Sequence, residues 1–333
     1  MELHQLAPDL TTRRILNGMW QVSGAHGYIE PEQAIDSMLA YHRAGLTTWD
    51  LADHYGPAED FIGAFRYRLA EAEGPAALDH VQAFTKWVPR PQRITRALVE
   101  QAVRVSLRRM DVDTLDLLQF HWWDYGDNGY LDTLVYLSQQ RDAGTIRYLG
   151  LTNFDTAHVE RIVRNGIQIV SNQVQYSLID RRPEVQMVPF AQAHGIGLLA
   201  YGTLCGGLLT DRYLGQPEPR HLDLDTASLR KYKQMVDAWG GWALFQSLLR
   251  TLRRVADRHS VSIANVAVRY ILDQPAVAGV IVGARLGLSD HLGETLRVFG
   301  FSLTDEDRAE IESITGRDLF ALIGDCGDEY RSR

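Results

Sequence analysis

The sequence predicts an α/β protein built as a (β/α)₈ barrel, and two observations predict this fold class. First, eight short apolar runs alternate with longer amphipathic stretches along 333 residues. Runs that are apolar on both faces are typical of buried parallel strands. Second, the sequence lacks the G-x-G-x-x-G string. This string is typical of open doubly wound sheets that bind dinucleotides. A closed barrel is therefore favoured over an open sheet.

The order of these runs places each predicted element. The apolar runs predict strands at residues 15–20, 46–52, 81–88, 115–122, 146–151, 168–175, 196–201 and 277–283. Helical spacing of apolar residues predicts helices at residues 31–44, 92–109, 130–143, 155–165 and 184–194. Pro31 suits the first position of a helix, whereas Gly45, Gly144 and Gly195 suit the left-handed position that ends one. Each helix therefore has a predicted boundary.

Two segments exceed a minimal barrel. Residues 203–241 follow the seventh strand, are rich in Gly, Pro and polar residues, and predict a long loop. Residues 304–333 predict a C-terminal helix and tail. Unstructured loops of such length in a compact domain are usually functional. We expect one domain over residues 1–333.

Composition excludes several classes of protein. Hydrophobic residues are 45% and charged residues 23% of the chain, which excludes disorder. The formal net charge of −8, without a basic run interleaved with aromatics, predicts no nucleic-acid partner. The lack of a long apolar segment predicts no membrane partner. The two distant cysteines, Cys205 and Cys326, fit a cytoplasmic protein, and we expect a monomer or a weak homo-oligomer.

Polar, titratable residues lie where three successive predicted strands end. Asp50 and Tyr55 lie at the end of the second strand, Lys86 at the end of the third and His121 at the end of the fourth. Each has an ordinary structural explanation when taken alone. Active sites of barrels, however, lie at the carboxyl ends of the strands, so we expect these four residues to meet. A partly buried Lys86 requires a carboxylate, which Asp50 on the neighbouring strand can supply.

The chemistry of this set suits the reduction of a carbonyl group, because a proton must reach the carbonyl oxygen. A lysine ammonium beside Tyr55 favours the phenolate and so lets the phenol exchange a proton near neutral pH. Asp50 would hold Lys86 in place and keep it charged. His121 could donate to the carbonyl oxygen and orient the substrate.

The string D-x-A-x-x-Y-G at residues 50–56, together with Lys86 and His121, resembles the tetrad of the aldo-keto reductases, and the likeness covers nearly the whole chain. That family is a (β/α)₈ barrel that binds NADPH or, less often, NADH. The resemblance implies an NADP(H)-dependent oxidoreductase that acts on the CH–OH group of donors and reduces aldehydes or ketones. Tyr55 is then the general acid and base. Leu51 stands where the family usually has Thr.

The resemblance also implies which residues contact the nicotinamide end of the cofactor. The segment GLTNFD at 150–155 is similar to the family's G-x-S-N-F, which implies that Asn153 bonds the carboxamide beside Thr152. The segment NQVQYS at 172–177 gives Gln173 the same duty. Tyr201 is implied to stack under the nicotinamide ring.

Two further segments imply contacts with the rest of the cofactor. The segment AYGTLCGGLLT at 200–210 implies that backbone groups line the pyrophosphate, namely those of Leu204, Gly206 and Leu208. The segment at 280–295 resembles the closing cofactor motif and implies contacts from Gly283, Arg285 and Glu294. Arg285 is implied to pair with an adenosine 2′-phosphate, which a guanidinium fork suits.

Aromatic residues near the tetrad predict the pocket for a small-molecule carbonyl substrate, with Trp20, Trp87 and Trp122 as an apolar mouth. No metal site is predicted, because H-x-H, H-E-x-x-H and C-x-x-C are absent from the sequence.

Two alternative functions stay open. One is a (β/α)₈-barrel glycoside hydrolase, which needs a carboxylate pair at the strand ends. The other is an NADP(H)-binding regulatory subunit or sensor with little turnover.

Overall fold

A closed barrel of eight parallel strands forms the centre of the molecule, in a computed structural model that describes residues 2–24, 29–288 and 291–330. The strands pair with their sequence neighbours, and the last strand pairs with the first. The strands are β1 Ile15–Gly18, β2 Thr48–Asp50, β3 Gln82–Trp87, β4 Leu115–Phe120, β5 Ile146–Thr152, β6 Ser171–Gln175, β7 Gly197–Tyr201 and β8 Val277–Gly283. All eight predicted strands are present, and the predicted (β/α)₈ fold is confirmed.

Helices follow the strands around the outside of the barrel. They are α1 Pro31–Arg43, α2 Ala58–Glu73, α3 Arg96–Met110, α4 Gly129–Asp142, α5 Thr156–Arg164, α6 Met187–His194, α7 Ala227–Trp239, α8 Gly241–His259, α9 Ile263–Leu272, α10 Leu292–Leu296, α11 Asp305–Glu312 and α12 Leu319–Ile323. The five helices predicted within residues 31–194 form, as does the C-terminal helix. Gly45, Gly144 and Gly195 all have a left-handed backbone with φ between 65° and 85°. Within the described ranges, no helix combines the length and apolar character that crossing a membrane requires.

A β-hairpin that the sequence did not predict closes the amino-terminal end of the barrel. Its antiparallel strands are Leu3–Ala7 and Leu10–Arg13. Leu6 and Leu10 belong to an apolar cluster of the barrel interior. The contact is close, because a Cβ atom on Gly197 would lie 2.5 Å from Leu6 Cδ1. The hairpin therefore covers the interior at this end, and the carboxyl ends of the strands are where a pocket is expected.

The loop predicted at residues 203–241 contains a helix, so the prediction is wrong for residues 227–239. Thr226 caps α7 by accepting a hydrogen bond from the Leu229 backbone N–H. Leu229, Tyr232 and Val236 bury the inner face of this helix. The Gly- and Pro-rich residues before α7 dominate the composition of the segment and obscured its helical spacing.

Candidate active site

Lys86 and Asp50 form a buried ion pair where β2 and β3 end. Lys86 Nζ lies 2.7 Å from Asp50 Oδ2 and also donates to the Leu51 carbonyl at 2.9 Å. Both residues are only 3% exposed. Burial lowers the pKa of Lys86 below its usual range, and the Asp50 carboxylate opposes that shift. The carboxylate therefore favours the charged ammonium in a place where burial alone would remove the proton.

Tyr55 lies half-buried next to this pair. Lys86 Nζ is 5.0 Å from the centre of the Tyr55 ring. The loop that carries Tyr55 is tied to β3, because the Asp53 N–H donates to the Lys86 carbonyl at 2.9 Å. The loop after β2 and the end of β3 thus hold the Lys86 ammonium near the Tyr55 ring.

His121 follows β4 and is 3% exposed. Its Nδ1 lies 3.0 Å from the carbonyl oxygen of Thr152 at the end of β5. A carbonyl can only accept, so Nδ1 carries a proton. Nε2 then donates a hydrogen bond only when the ring is positively charged, and in the neutral ring it accepts. The predicted donation from His121 to a carbonyl oxygen therefore requires the imidazolium.

A polar layer crosses the barrel beneath these groups. Gln173 Nε2 donates to Asp50 Oδ1 at 2.7 Å and to Gln119 Oε1 at 2.8 Å, and Gln119 Nε2 donates to Asp50 Oδ1 at 3.0 Å. The three residues lie on β2, β4 and β6, the alternate strands that fill one layer of such a barrel. Both N–H bonds of Gln173 are used, so Gln173 can meet a cofactor carboxamide only as an acceptor, through Oε1. Gln119 was not among the predicted site residues.

Asn153 and Tyr201 stand together at the ends of β5 and β7. Asn153 has a left-handed backbone with φ of 58°, which Asn tolerates better than most residues. Its backbone N–H donates to the Gln173 carbonyl at 2.8 Å, and its Oδ1 accepts from the Tyr201 hydroxyl at 2.8 Å. Thr152 is buried immediately before it. The structure thus brings the four residues predicted for the nicotinamide end into contact.

The loop after β7 follows a tight, glycine-dependent path. Gly206 is exposed with φ of 67°, and a Cβ atom there would lie 3.0 Å from Tyr232 on α7. The N–H of Leu208 donates to the Cys205 carbonyl at 3.2 Å. Leu208 itself is buried, and its amide bonds within the loop. The backbone of Leu204, Gly206 and Leu208 stays the predicted contact for the pyrophosphate.

The residues predicted for the adenosine end lie at and beyond the end of β8. Arg285 and Glu294 are both exposed, and Glu294 lies on α10. Residues 289 and 290 of the predicted motif fall outside the described ranges. Gly283 contacts Gln21, because a Cβ atom on Gly283 would lie 2.2 Å from Gln21 Nε2.

Four tryptophans near the mouth have different contacts. Trp20 meets the Tyr55 ring edge-on, with 4.9 Å between centroids. Trp122 packs against Phe120 and donates from Nε1 to two carbonyls of its own loop, those of Asp124 and Asp127. Trp123, which is 41% exposed, meets His121 edge-on at 4.5 Å. Trp123 is therefore the indole that adjoins His121, whereas the sequence predicts Trp20, Trp87 and Trp122 for the apolar mouth. Trp87 is buried against Phe120.

Comparison with known proteins agrees with this geometry. The family model described as "Aldo/keto reductase family" matches residues 14–315. The chain belongs to this family. As an aldo/keto reductase it is an oxidoreductase of a family that uses a nicotinamide cofactor. Within the described residues, no group of three His, Cys, Asp or Glu side chains is arranged to hold a metal ion.

Several named proteins resemble this aldo/keto reductase over most of its length. The aldo-keto reductase YhdN of Bacillus subtilis is 28% identical, with 93% of this chain and 92% of that protein covered. The NADH-specific methylglyoxal reductase of Escherichia coli is 23% identical, with 90% and 93% covered. The solved structure of the glycerol dehydrogenase AKR11B4 from Gluconobacter oxydans has a TM-score of 0.75 and 25% identity, with 97% of this chain and 96% of that chain covered.

The residues of the site fit a nicotinamide cofactor. Oε1 of Gln173 and the amide of Asn153 offer complementary groups to a carboxamide, while Arg285 provides a cation at the far end. The buried Oε1 of Gln21 has no hydrogen-bond partner among the described residues, although it lies beside Gly283 at the predicted cofactor site. A buried acceptor without a partner is costly and points to a ligand donor. Gln21 was not predicted, since no motif of the sequence marks it.

Proposed function

We propose that this aldo/keto reductase transfers a hydride between NADP(H) and a small carbonyl or alcohol substrate, with Tyr55 as general acid and base. The observation that carries the proposal is the position of Lys86, bonded to buried Asp50 and 5.0 Å from the Tyr55 ring. An ammonium in a buried place interacts more strongly with a developing phenolate than it would in water.

Each residue then has a defined part in the reduction. Asn153, Gln173 and Tyr201 would hold the nicotinamide end of a dinucleotide, which would supply the hydride for the carbonyl carbon. Tyr55 gives its proton to the carbonyl oxygen, and the phenolate that remains is stabilised by Lys86. In the oxidation of an alcohol the proton returns to Tyr55. His121 orients the oxygen, and Trp20 and Trp123 line the mouth and exclude water.

Arg285 supports the choice of NADP(H) over NAD(H). Its exposed guanidinium lies just beyond β8, where the sequence motif places the adenosine 2′-phosphate. Planar, bidentate recognition of phosphate is a specific property of arginine. A similar protein is named for NADH specificity, so the choice between the two dinucleotides needs its own test, for which Arg285 is the residue.

The surroundings of the site support a substrate with an apolar or aromatic part. The indole rings of Trp20 and Trp123 favour contact with an aromatic substrate.

We also propose that the protein acts in the cytoplasm, as a monomer or a weak homo-oligomer, without nucleic-acid or membrane partners. The two cysteines, both buried and not joined in a disulfide, support this location.

The test is the variant Tyr55→Phe, assayed with a panel of aldehydes and ketones at the NADPH absorbance band. We expect kcat to fall about 10²- to 10⁴-fold while the dissociation constant of NADPH stays within about twofold of wild type. Tyr67→Phe is the matched control, because Tyr67 is exposed on α2 and its hydroxyl donates to Glu71 on the same helix. A near-normal kcat in Tyr55→Phe would remove Tyr55 from its role. Cofactor binding without turnover in the wild type would favour the regulatory alternative.

A further inference from the structure

Residues 325–329, which we call the tail segment, return to the loop that carries Asn153. Asp325 Oδ2 accepts a hydrogen bond from the Thr156 backbone N–H at 2.7 Å, at the start of α5. Gly327 lies directly against Asn153, because a Cβ atom on Gly327 would be 2.5 Å from the Asn153 carbonyl oxygen. The tail segment therefore contacts the left-handed residue predicted to bond the carboxamide.

A buried arginine fixes the tail segment in this position. The Arg182 side chain is fully buried and makes two hydrogen bonds to Asp180, of 2.7 and 2.8 Å. It also donates to the Asp325 carbonyl at 3.0 Å and to Glu329 Oε2 at 2.8 Å. Glu329 Oε2 accepts in addition from the Gly327 N–H at 2.9 Å. One guanidinium thus joins the core of the protein to both ends of the tail segment.

The charge of Glu329 is maintained by this contact. Burial would raise the pKa of Glu329, but the Arg182 guanidinium holds it below its usual range. Removing one partner of a buried, hydrogen-bonded charge pair is strongly destabilising. Release of the tail segment would leave Arg182 with Asp180 alone, so the docked arrangement is strongly favoured.

Gly327 is the one position of the contact that admits no side chain. Its φ is +93°, a backbone that favours glycine, and its Cα faces the Asn153 carbonyl without room for a methyl group. Any larger residue must displace either the tail segment or the Asn153 loop. The Asn153 loop is also held by Tyr125, whose hydroxyl accepts from the Asp155 N–H at 3.1 Å. The Asn153 loop is therefore held by Tyr125 and by the tail segment.

We infer that the tail segment is a positioning element for cofactor binding, which holds Asn153 in the conformation that receives the nicotinamide carboxamide. This inference rests on the proposed role of Asn153. Gly327, Arg182 and Glu329 act through Asn153 and do not touch the cofactor themselves. The tail segment thereby sets affinity for the nicotinamide end of the dinucleotide and leaves the adenosine end unaffected.

The experiment is Gly327→Ala, with two ligands titrated by fluorescence or calorimetry: the complete dinucleotide, and the same molecule without its nicotinamide (ADP-ribose, or its 2′-phosphate). We expect the dissociation constant of the dinucleotide to rise about tenfold, equivalent to about 1.4 kcal/mol, and that of the truncated ligand to change less than about twofold. The matched control is Gly144→Ala, also left-handed with φ of +83° but with open space around it, before β5 at the other end of the barrel.

A second variant keeps the inference testable should Gly327→Ala fail to fold. Glu329→Gln preserves size but weakens the ionic bond to Arg182, and we expect the same pattern of losses at a smaller magnitude. Equal losses for both ligands, or no loss for the dinucleotide, would overturn the inference while the proposed function stands. A wild-type protein that binds neither NADPH nor NADH would overturn the proposed function and this inference with it.

Discussion

The side-chain amide of Gln173 donates to Asp50, with 2.7 Å between Nε2 and Oδ1. Gln173, which the sequence motif assigns to the cofactor, is therefore also bonded to the carboxylate that holds Lys86. One side chain couples the nicotinamide end of the site to the proton-transfer groups. The same coupling reaches Gln119 on β4, which bonds both residues.

Replacement of Gln173 by Leu should impair catalysis as well as cofactor binding. The change removes two buried hydrogen bonds and leaves the Gln119 Oε1 without its donor, at a cost to stability of about 1–3 kcal/mol. We expect kcat to fall at least about tenfold, because Asp50 loses one of the two amide donors that orient it toward Lys86. The comparison is Asn153→Gly, which deletes the amide but suits the left-handed backbone and should mainly raise the dissociation constant of the cofactor. Identical kinetic patterns in the two variants would contradict the coupling.

Arg285→Ala should separate the two dinucleotides. Charge-assisted hydrogen bonds to a phosphate contribute about 1.5–3 kcal/mol, so we expect NADPH affinity to fall about 10- to 100-fold and NADH affinity to change little. Arg297→Ala, another exposed arginine that lies just after α10, is the control. Equal losses for NADPH and NADH in fluorescence titrations would show that Arg285 does not read the 2′-phosphate.

Trp123→Ala should alter the choice of substrate. Loss of the indole beside His121 removes apolar contact with a bulky substrate, and we expect kcat/KM for an aromatic aldehyde to fall about tenfold. A small aldehyde such as methylglyoxal should be affected much less. Trp122→Phe provides the contrast, because it loses two hydrogen bonds to backbone carbonyls and should reduce stability without changing this preference. The reverse outcome would make Trp122 the wall of the pocket.

Asp307 predicts a pH dependence of stability remote from the site. Burial would raise its pKa, but hydrogen bonds from His259, the Thr304 backbone and Arg258 lower it well below the usual range. Since an unfolded Asp titrates near pH 3.9, these bonds stabilise the fold fully above about pH 4. The stabilisation is lost as the pH falls through the folded value.

The variant Asp307→Asn tests this dependence by urea unfolding at pH 7 and pH 3. We expect a loss of about 2 kcal/mol at pH 7, since the variant weakens both a helix cap and charged hydrogen bonds. The difference from wild type should narrow at pH 3. Asp305→Asn, at an exposed position of the same helical turn, should show little change at either pH. A gap that stays constant between the two values would refute the assignment.

The barrel could be predicted from the sequence because each strand is a local apolar run. Asp50, Tyr55, Lys86 and His121 could be placed near one another for a related reason: each lies at or shortly after the carboxyl end of a strand, and parallel strands end on one face. The Asp50–Lys86 bond could be predicted because the two residues lie on neighbouring strands. Its length is 2.7 Å.

The contacts that could not be predicted depend on closure of the barrel or on distant segments. Gln119 and Gln173 meet Asp50 only because β2, β4 and β6 face one another across the interior. Gly327 meets Asn153 across more than half the chain, and no local pattern marks that approach. Helix α7, by contrast, has a local pattern, since Leu229, Tyr232 and Val236 follow the capping residue Thr226 at helical spacing, but the Gly- and Pro-rich residues before it obscured that pattern.

Cys326 adjoins Gly327 and is fully buried, and burial raises the pKa of its thiol well above the ordinary value. Such a thiol reacts with a labelling reagent only during the moments when its surroundings open. Cys205, whose pKa burial raises to about 12, is equally shielded but belongs to the loop after β7. The alkylation rate of Cys326, followed by peptide mass, thus reports how often the tail segment opens. A saturating dinucleotide should lower this rate.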